Sequence, residues 1–310
     1  MIKTEIKDYK NYGKVLSLSN GIIEAYVTID VGPRIIRFGF IDGQNIMCDN
    51  RNVMAPKDDK EFQDFFGRGK KWEILGGHRI WTSPESYPHS YYPDLDPVKY
   101  EVIENGAIFT PNAEVENGMQ KQLEVKMNPN SADMQVTMRV TNIADAPQEF
   151  SIWGLTVSAQ HGTLIIPMNT NDTGLLANRN ISVWPYTNLA DSRVHFGKKY
   201  VTLRQDINIE QSFKLGFNLN DAKVYYCLGN DVFCKSYETI HPYEKYPDNN
   251  CSFETFTNNG FIEVESLSPL KSVAQNETVS LTENWSMHKK PCDVEFNNDK
   301  SIDDMLSKMQ

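Results

Sequence analysis

The sequence of 310 residues lacks an excess of basic side chains. It has 31 Lys and Arg residues against 41 Asp and Glu residues, for a formal net charge of −10. Proteins that bind nucleic acid present a basic surface that neutralises phosphates. We therefore expect no nucleic-acid partner for this chain.

Long apolar runs are also absent. No stretch approaches the roughly 18 consecutive apolar residues of a membrane-spanning helix. Residues 1–14 alternate charged with apolar side chains and lack the apolar core of a signal peptide. From these two absences we expect no membrane association and a cytoplasmic location.

Cysteines are few, and common catalytic motifs are missing. The five cysteines are widely scattered without a CxxC pair, which predicts reduced structural thiols. No histidine lies in an HExxH or His-x-His pattern, so no metal site is expected. GxSxG, P-loop and GxGxxG motifs are absent as well. We predict acid-base chemistry on a small polar ligand, with no redox or nucleotide cofactor.

What the sequence does contain is period-two alternation of apolar and polar residues, which is typical of antiparallel strands. The clearest run is residues 134–141, where Met134, Val136, Met138 and Val140 alternate with polar side chains. Similar runs occupy residues 21–28, 35–41, 123–127, 150–157, 200–204, 223–228 and 261–265. More than a dozen such segments predict a large all-β sandwich or barrel.

Helical periodicity is confined to two segments. One lies within residues 57–66, and the other is the tail, where Ile302, Met305, Leu306 and Met309 follow Ser301 as an expected cap. No linker or repeat divides the chain. We predict one β domain over residues 1–288 and an appended tail over residues 289–310 that contains a short helix.

Residues 76–85 are the most unusual segment. Gly76 and Gly77 allow backbone conformations closed to other residues. His78, Arg79, Trp81 and Glu85 then supply a titratable nitrogen, a fork of donors, a flat apolar face and an acceptor. That mixture suits a sugar, whose hydroxyls need polar partners and whose C–H face needs an aromatic ring. The alternative is a glycine turn before a strand, with Trp81 in the core and Arg79 in a structural ion pair.

A second candidate lies in the alternating segment over residues 261–265. On a strand, Glu263 and Glu265 would share one face, about 7 Å apart, while Ile262 and Val264 would share the other. Two such carboxylates repel each other, which favours a raised pKa and base catalysis. On a solvent-facing strand the pair would have no such role.

Four other sets of residues are weaker candidates. His161 follows an apolar run and has the neutral-range titration of a proton donor. Asp248 lies in an aromatic-rich approach to the glutamates, and Trp184 and Tyr186 could line a sugar site or cover a sheet edge. Four arginines could form a local positive site for an anionic ligand despite the acidic total: Arg34, Arg79, Arg179 and Arg193.

These segments together resemble the galactose mutarotase-like superfamily. The resemblance covers roughly residues 13–288 and rests on the all-β length, the segment around His78, Arg79 and Trp81, the strand from Glu263 to Pro269, and the closing Glu283-Asn-Trp285. It implies a β-supersandwich with a saccharide site on the concave face of the larger sheet.

The resemblance also implies roles for individual residues. In the aldose 1-epimerases of this superfamily, a glutamate on a late strand removes the proton of the anomeric hydroxyl, and Glu265 matches it in order. Arg79 matches an early substrate-binding arginine, with His78 in place of the usual Asn. The family's acid is a histidine in His-Pro-Tyr-Phe; His161 has the expected order but is followed by Gly-Thr, whereas His241-Pro-Tyr comes late in the chain.

We predict an epimerase of the mutarotase type, with Glu265 as base and His161 as acid; His78 is the alternative acid. His78, Arg79, Trp81, Glu85, Asp248, Glu263 and Arg34 are the predicted substrate-binding residues. The rival prediction is a non-catalytic saccharide-binding or sensing protein on the same fold. A lyase or glycosidase using Glu263 and Glu265 ranks third, because residues two apart on one strand make a poor pair for flanking a glycosidic bond. No oligomeric state is predicted.

Overall fold

The segments in which apolar and polar residues alternate form two large antiparallel sheets. The computed structural model describes residues 2–240 and 243–309. Within them the strands are β1 Lys3–Asp8, β2 Lys14–Ser19, β3 Ile23–Thr28, β4 Ile35–Phe40, β5 Gly77–Ser83, β6 Lys99–Ile103, β7 Gly106–Thr110, β8 Met119–Met127, β9 Asp133–Asn142, β10 Gln148–Ser158, β11 Thr163–Pro167, β12 Ile181–Val183, β13 Val194–Phe196, β14 Tyr200–Arg204, β15 Phe213–Phe217, β16 Ala222–Leu228, β17 Asp231–Tyr237, β18 Phe253–Thr257, β19 Ile262–Leu267, β20 Lys271–Val273 and β21 Thr278–Lys289.

The larger sheet has eleven strands in the described part of the chain. Their order is β1-β2-β3-β4-β5-β10-β19-β18-β15-β12, and β20 pairs with the other end of β10. The second sheet has ten strands in the order β13-β14-β11-β16-β17-β21-β9-β8-β7-β6. The all-β prediction is therefore confirmed, and the supersandwich architecture follows from the two facing sheets.

The main core lies between the sheets and is formed by the inward face of each strand. On β9, Met134 and Val136 are at most 2% exposed, while Gln135 between them is exposed. Phe38 of the larger sheet packs edge-on against Phe233 and Trp285 of the second sheet. The predicted alternation thus separates buried from exposed residues in the structure.

A second apolar cluster covers the opposite face of the larger sheet, away from the main core. Helix α1, Lys60–Phe66, buries Phe62 and Phe66 in this cluster, next to Trp72, Trp81 and Trp153. The helix begins after Asp59, whose carboxylate accepts a hydrogen bond from the backbone of Phe62. Aromatic side chains are thereby held above the middle strands of the sheet.

The predicted C-terminal helix is present but begins earlier than its expected cap. Helix α3 spans Asp299–Leu306, and the side chain of Asn298 caps it by accepting from two backbone N–H groups. Ser301 instead accepts a hydrogen bond from the backbone of Glu295. Ile302 and Met305 pack against the second sheet. Both residue types are good caps, so the sequence alone could not choose between them.

Two further sequence predictions concern membrane-spanning segments and the state of the cysteines. No helix in the described ranges is long and apolar enough to cross a membrane. All five cysteines are free thiols, as predicted. Burial raises the pKa of Cys48 to about 11 and that of Cys227 to about 12, which keeps both protonated at neutral pH.

Candidate functional site

The candidate site lies on the outer face of the larger sheet, where β5, β10 and β19 are neighbours. Leu155 of β10 is paired with Arg79 of β5 on one side and with Glu265 of β19 on the other. Directly paired residues share a face of the sheet. With a period of two, Trp81 and Glu263 are therefore on the same face. Register alone collects these side chains from distant parts of the chain.

A cavity of about 140 Å³ opens above these strands. Its charged lining residues are Arg79, Glu85, Lys214 and Glu263. Its aromatic lining residues include Trp72, Trp81, Tyr91, Trp153 and Tyr186. The site therefore combines flat apolar walls with a few charged groups, which is the usual make-up of a small-molecule site.

Arg79 and Glu263 form a buried ion pair in this cavity. Arg79 Nη2 lies 3.2 Å from Glu263 Oε1, and the two side chains are 4% and 9% exposed. The guanidinium group also lies 4.4 Å from the ring centre of Trp81. Burial, opposed by Arg79 and reinforced by Glu265, raises the pKa of Glu263 to about 7. Glu263 can thus exchange a proton near neutral pH.

Lys214, which also lines the cavity, is paired with two further carboxylates. Its Nζ lies 2.8 Å from Glu254 Oε2 and 3.3 Å from Glu265 Oε2. Trp153 Nε1 donates a 2.9 Å hydrogen bond to the same oxygen of Glu265. Burial alone would lower the pKa of Lys214, but the two carboxylates raise it overall. Burial also raises the pKa of Glu254 well above its usual range.

Comparison with solved structures decides the fold. A galactose mutarotase-like protein from Lactobacillus casei is 12% identical, with a TM-score of 0.52 over 88% of this chain and 100% of the other. A candidate aldose 1-epimerase from Escherichia coli K12 is 11% identical, with a TM-score of 0.52 over 92% of this chain and 99% of the other. The chain has the galactose mutarotase-like fold.

A further solved structure is similar in shape to this chain over most of its length. A TPR-domain containing protein from Parabacteroides distasonis is 12% identical and has a TM-score of 0.59 over 90% of this chain, but only 48% of that protein is covered. No family model matches the sequence, and no curated protein matches it. The fold is therefore identified by structural similarity alone, and the function depends on the residues of the site.

Within this mutarotase-like fold, several of the predicted substrate-binding residues meet in one place. Arg79, Trp81, Glu85 and Glu263 all line the cavity. Glu265 is fully buried beside them and joins the cluster through Lys214 and Trp153. Glu85 is exposed and accepts a hydrogen bond from the hydroxyl of Tyr91. The two sequence segments chosen for their composition are thus adjacent in space.

His78, which was predicted to bind substrate, is not among the residues that line this cavity. It neighbours Arg79 on β5, so the alternation of the strand turns it to the opposite face. Its Nδ1 lies 2.9 Å from Thr156 Oγ1, and its ring packs edge-on against Trp285 in the main core. Burial lowers the pKa of His78 well below its usual value, so the imidazole is neutral there.

His161 also lies apart from the cavity residues. It occupies the turn after β10, is exposed, and has a φ of 71°. Its backbone N–H donates to Gln205 Oε1, and its side chain does not line the cavity. His241, the other histidine weighed for the acid role, lies outside the described residues.

Arg34 and Asp248 are likewise absent from the cavity lining. Arg34 is buried and pairs with Asp94 at 2.7 Å, beside a separate space of about 30 Å³. Asp248 lies in α2, the single turn Pro247–Asn250, and its Oδ2 accepts a 3.3 Å hydrogen bond from Ser83. Both residues are therefore engaged in structural contacts in this structure.

Several residues of the site, Tyr91 among them, were not predicted from the sequence. Lys214, Trp72 and Trp153 line the cavity but carry no local motif. Trp153 was detectable, because it alternates with Leu155 on a strand that was predicted. For Tyr186 and Trp184 both interpretations were open: Tyr186 lines the cavity, while Trp184 lies with its ring 4.7 Å from Lys214 Nζ.

Proposed function

We propose that the cavity binds a saccharide and that the protein interconverts its anomers, as an aldose 1-epimerase does. The observation that carries this proposal is the Arg79–Glu263 pair set among tryptophan walls. Aromatic faces suit the C–H side of a pyranose ring, and buried charged groups suit its hydroxyls. Support comes also from the names of the structural neighbours, which include a mutarotase-like protein and a candidate aldose 1-epimerase.

Proton removal from the anomeric hydroxyl is assigned here to Glu263. This role was predicted for Glu265 from the sequence, but Glu265 Oε2 contacts both Lys214 and Trp153. Glu263 instead lines the cavity, and its pKa of about 7 suits a base at neutral pH. The negative charge of Glu265 helps to raise that pKa. Glu265 would then act through Glu263 as a positioning residue.

Ring opening also requires a donor for the ring oxygen. When Glu263 takes the proton of the anomeric hydroxyl, the bond from the anomeric carbon to the ring oxygen breaks and the ring oxygen gains a proton. Of the two phenols in the cavity, Tyr91 donates to Glu85, whereas Tyr186 makes no hydrogen bond within the described residues. Burial raises the pKa of Tyr186, so it remains a neutral donor. We assign this donor role to Tyr186.

Replacing Glu263 by Gln tests the assignment. The amide keeps the shape and a hydrogen-bonding oxygen near Arg79 but cannot accept the proton. We expect the anomer interconversion rate to fall by about 100-fold or more, because general acid-base groups contribute that much. The measurement is proton NMR on freshly dissolved α-anomers of common hexoses, with binding followed by calorimetry.

Glu101→Gln is the matched control, since it makes the same change at an exposed residue of β6 that does not line the cavity. We expect a rate within a few-fold of the unmodified protein. Retained turnover in Glu263→Gln together with lost turnover in Glu265→Gln would return the base role to Glu265. Loss of saccharide binding in every variant would show only that the substitutions had unfolded the site, so circular dichroism accompanies each one.

The rate of the unmodified protein should depend on pH in a defined direction. Glu263 must be ionised to accept a proton, and its pKa lies near 7. The rate should therefore rise as the pH increases from 5.5 to 8.5, with a midpoint close to 7. Glu263→Gln should remove this step from the residual rate. A midpoint near the ordinary carboxyl value would contradict the assignment.

One observation favours a second candidate function, saccharide binding without turnover. No histidine lines the cavity among the described residues, although a histidine supplies the acid in the enzymes that the sequence resembles. If hexoses bind to the protein while their anomers equilibrate at the solvent rate, this second candidate replaces the first.

A further inference from the structure

The cavity contains three buried N–H donors that lack a partner in the described residues. They are Nε and Nη1 of Arg79 and Nε1 of Trp72. Arg79 is 3% exposed and Trp72 is 2% exposed, and both line the cavity. The guanidinium carbon lies 5.9 Å from the Trp72 ring centre, so the donors are close together. Buried donors without acceptors are costly, and a bound ligand is the simplest source of acceptors.

The chemistry of these donors specifies the ligand group. A sugar hydroxyl both donates and accepts, whereas an ionised carboxylate only accepts. Three buried donors, two of them on the cationic guanidinium group of Arg79, therefore match an anionic acceptor better than a hydroxyl. The remaining arm of Arg79, Nη2, is directed at Glu263.

The number of free charges favours a carboxylate over a phosphate. Lys214, the other cation of the cavity, is already paired with Glu254 and Glu265. Arg79 supplies one positive charge, which is available to a ligand when its partner Glu263 is protonated. A phosphate monoester carries about −1.5 to −2 at neutral pH and would be left partly uncompensated beside Glu263.

We infer that the cavity takes a saccharide that carries a carboxylate, such as a uronic acid, with that carboxylate on the free donors of Arg79 and Trp72. This inference rests on the proposed saccharide function and narrows its substrate class. Binding of the anion would raise the pKa of Glu263, which is paired with the same guanidinium group, so that Glu263 becomes ionised with a uronate bound only at a higher pH than with a neutral hexose.

Calorimetry at pH 6.5 tests the ligand class with four probes: glucuronate, its methyl ester, glucose and glucose 6-phosphate. We expect glucuronate to bind about tenfold or more tightly than glucose, as expected for a charge-assisted contact. The methyl ester should bind like glucose. Tighter binding of glucose 6-phosphate would overturn the carboxylate assignment, and equal binding of glucose and glucuronate would overturn the inference while leaving the proposed function intact.

Two matched tryptophan variants locate the contact. Trp72→Phe removes a free N–H donor and keeps an aromatic ring, so the preference for glucuronate over glucose should fall about fivefold or more. Trp153→Phe makes the same change in the same cavity, but its Nε1 is already bonded to Glu265. That preference should fall much less in Trp153→Phe than in Trp72→Phe. Equal effects of both variants on the preference would contradict the assigned contact.

Proton uptake supplies a readout that does not depend on turnover. Titrations at pH 7.5 in two buffers of different ionisation enthalpy should show net proton uptake with glucuronate and none with glucose, and Glu263→Gln should abolish the uptake. Binding of glucuronate without proton uptake would contradict the role of Glu263. If no saccharide binds at any pH, the proposed function fails together with this inference.

Discussion

Replacing Lys235 by Met should lower the free energy of unfolding by about 3–5 kcal/mol. Lys235 is fully buried between the two sheets, and its Nζ lies 2.9 Å from Glu283 Oε1, which is also fully buried. The same ammonium group donates to Thr156 Oγ1 and to the carbonyl of Val264, each at 2.9 Å. Without it, the carboxylate of Glu283 remains in the core with no cation. Urea denaturation at pH 7.5 measures the loss.

Lys3→Met is the matched control for this prediction. Lys3 Nζ lies 3.5 Å from Glu5 Oε2, and both side chains are exposed. An exposed ion pair contributes roughly 1 kcal/mol or less, so the control should be nearly neutral. Adding Glu283→Gln to Lys235→Met should recover part of the lost stability, because the uncompensated charge is gone. Similar losses in the two lysine variants would refute the importance of burial.

The Lys235–Glu283 pair also connects the main core to the site. Ser266 of β19 donates a hydrogen bond to Glu283, and Lys235 lies 3.3 Å from the carbonyl of Gly154 on β10. The outer faces of these two strands carry Trp153 and the two candidate glutamates. Removing the buried pair should therefore destabilise the two strands that position the cavity residues.

Some of the site could be predicted from the sequence because it follows from strand alternation. The pattern around Glu263 and Glu265 predicted one shared face, and the register with β10 places both on the outer face. The same rule separates His78 from Arg79 on β5. Composition drew attention to this segment, but alternation decides which of its side chains can meet a ligand.

The rest of the site depends on pairing between distant strands. Lys214 reaches Glu265, 51 residues away, because β18 lies between their strands and pairs with both. Trp72 lies in an irregular segment that is attached to Lys57 by a pair of backbone hydrogen bonds. Neither residue lies in a recognisable sequence pattern, because its position depends on strand register or on the course of a long loop, and both are set by the tertiary structure. Without the strand order, a single sequence could not show that Lys214 and Trp72 lie in the site.

Replacing Lys214 by Met is expected to have a comparably large effect, with a distinctive dependence on pH. Glu254 and Glu265 are fully buried and directly paired across β18 and β19. Lys214 is the cation that contacts both. Without it, the two carboxylates lose their shared partner, and the free energy of unfolding at pH 8 should fall by about 3–5 kcal/mol. Thermal and urea denaturation at several pH values measure this loss.

The direction of the pH dependence follows from proton linkage. Without Lys214, the folded variant should retain a proton on the buried carboxyl pair that the unfolded chain releases above the ordinary carboxyl pKa. The folded state then binds more protons, so the stability of the variant should fall as the pH rises, by about 1.4 kcal/mol per pH unit. Adding Glu254→Gln leaves one carboxylate, which Trp153 Nε1 still contacts. That double variant should recover stability at pH 8 and lose the slope, whereas a loss independent of pH would show that packing around Lys214, not its charge, had been removed.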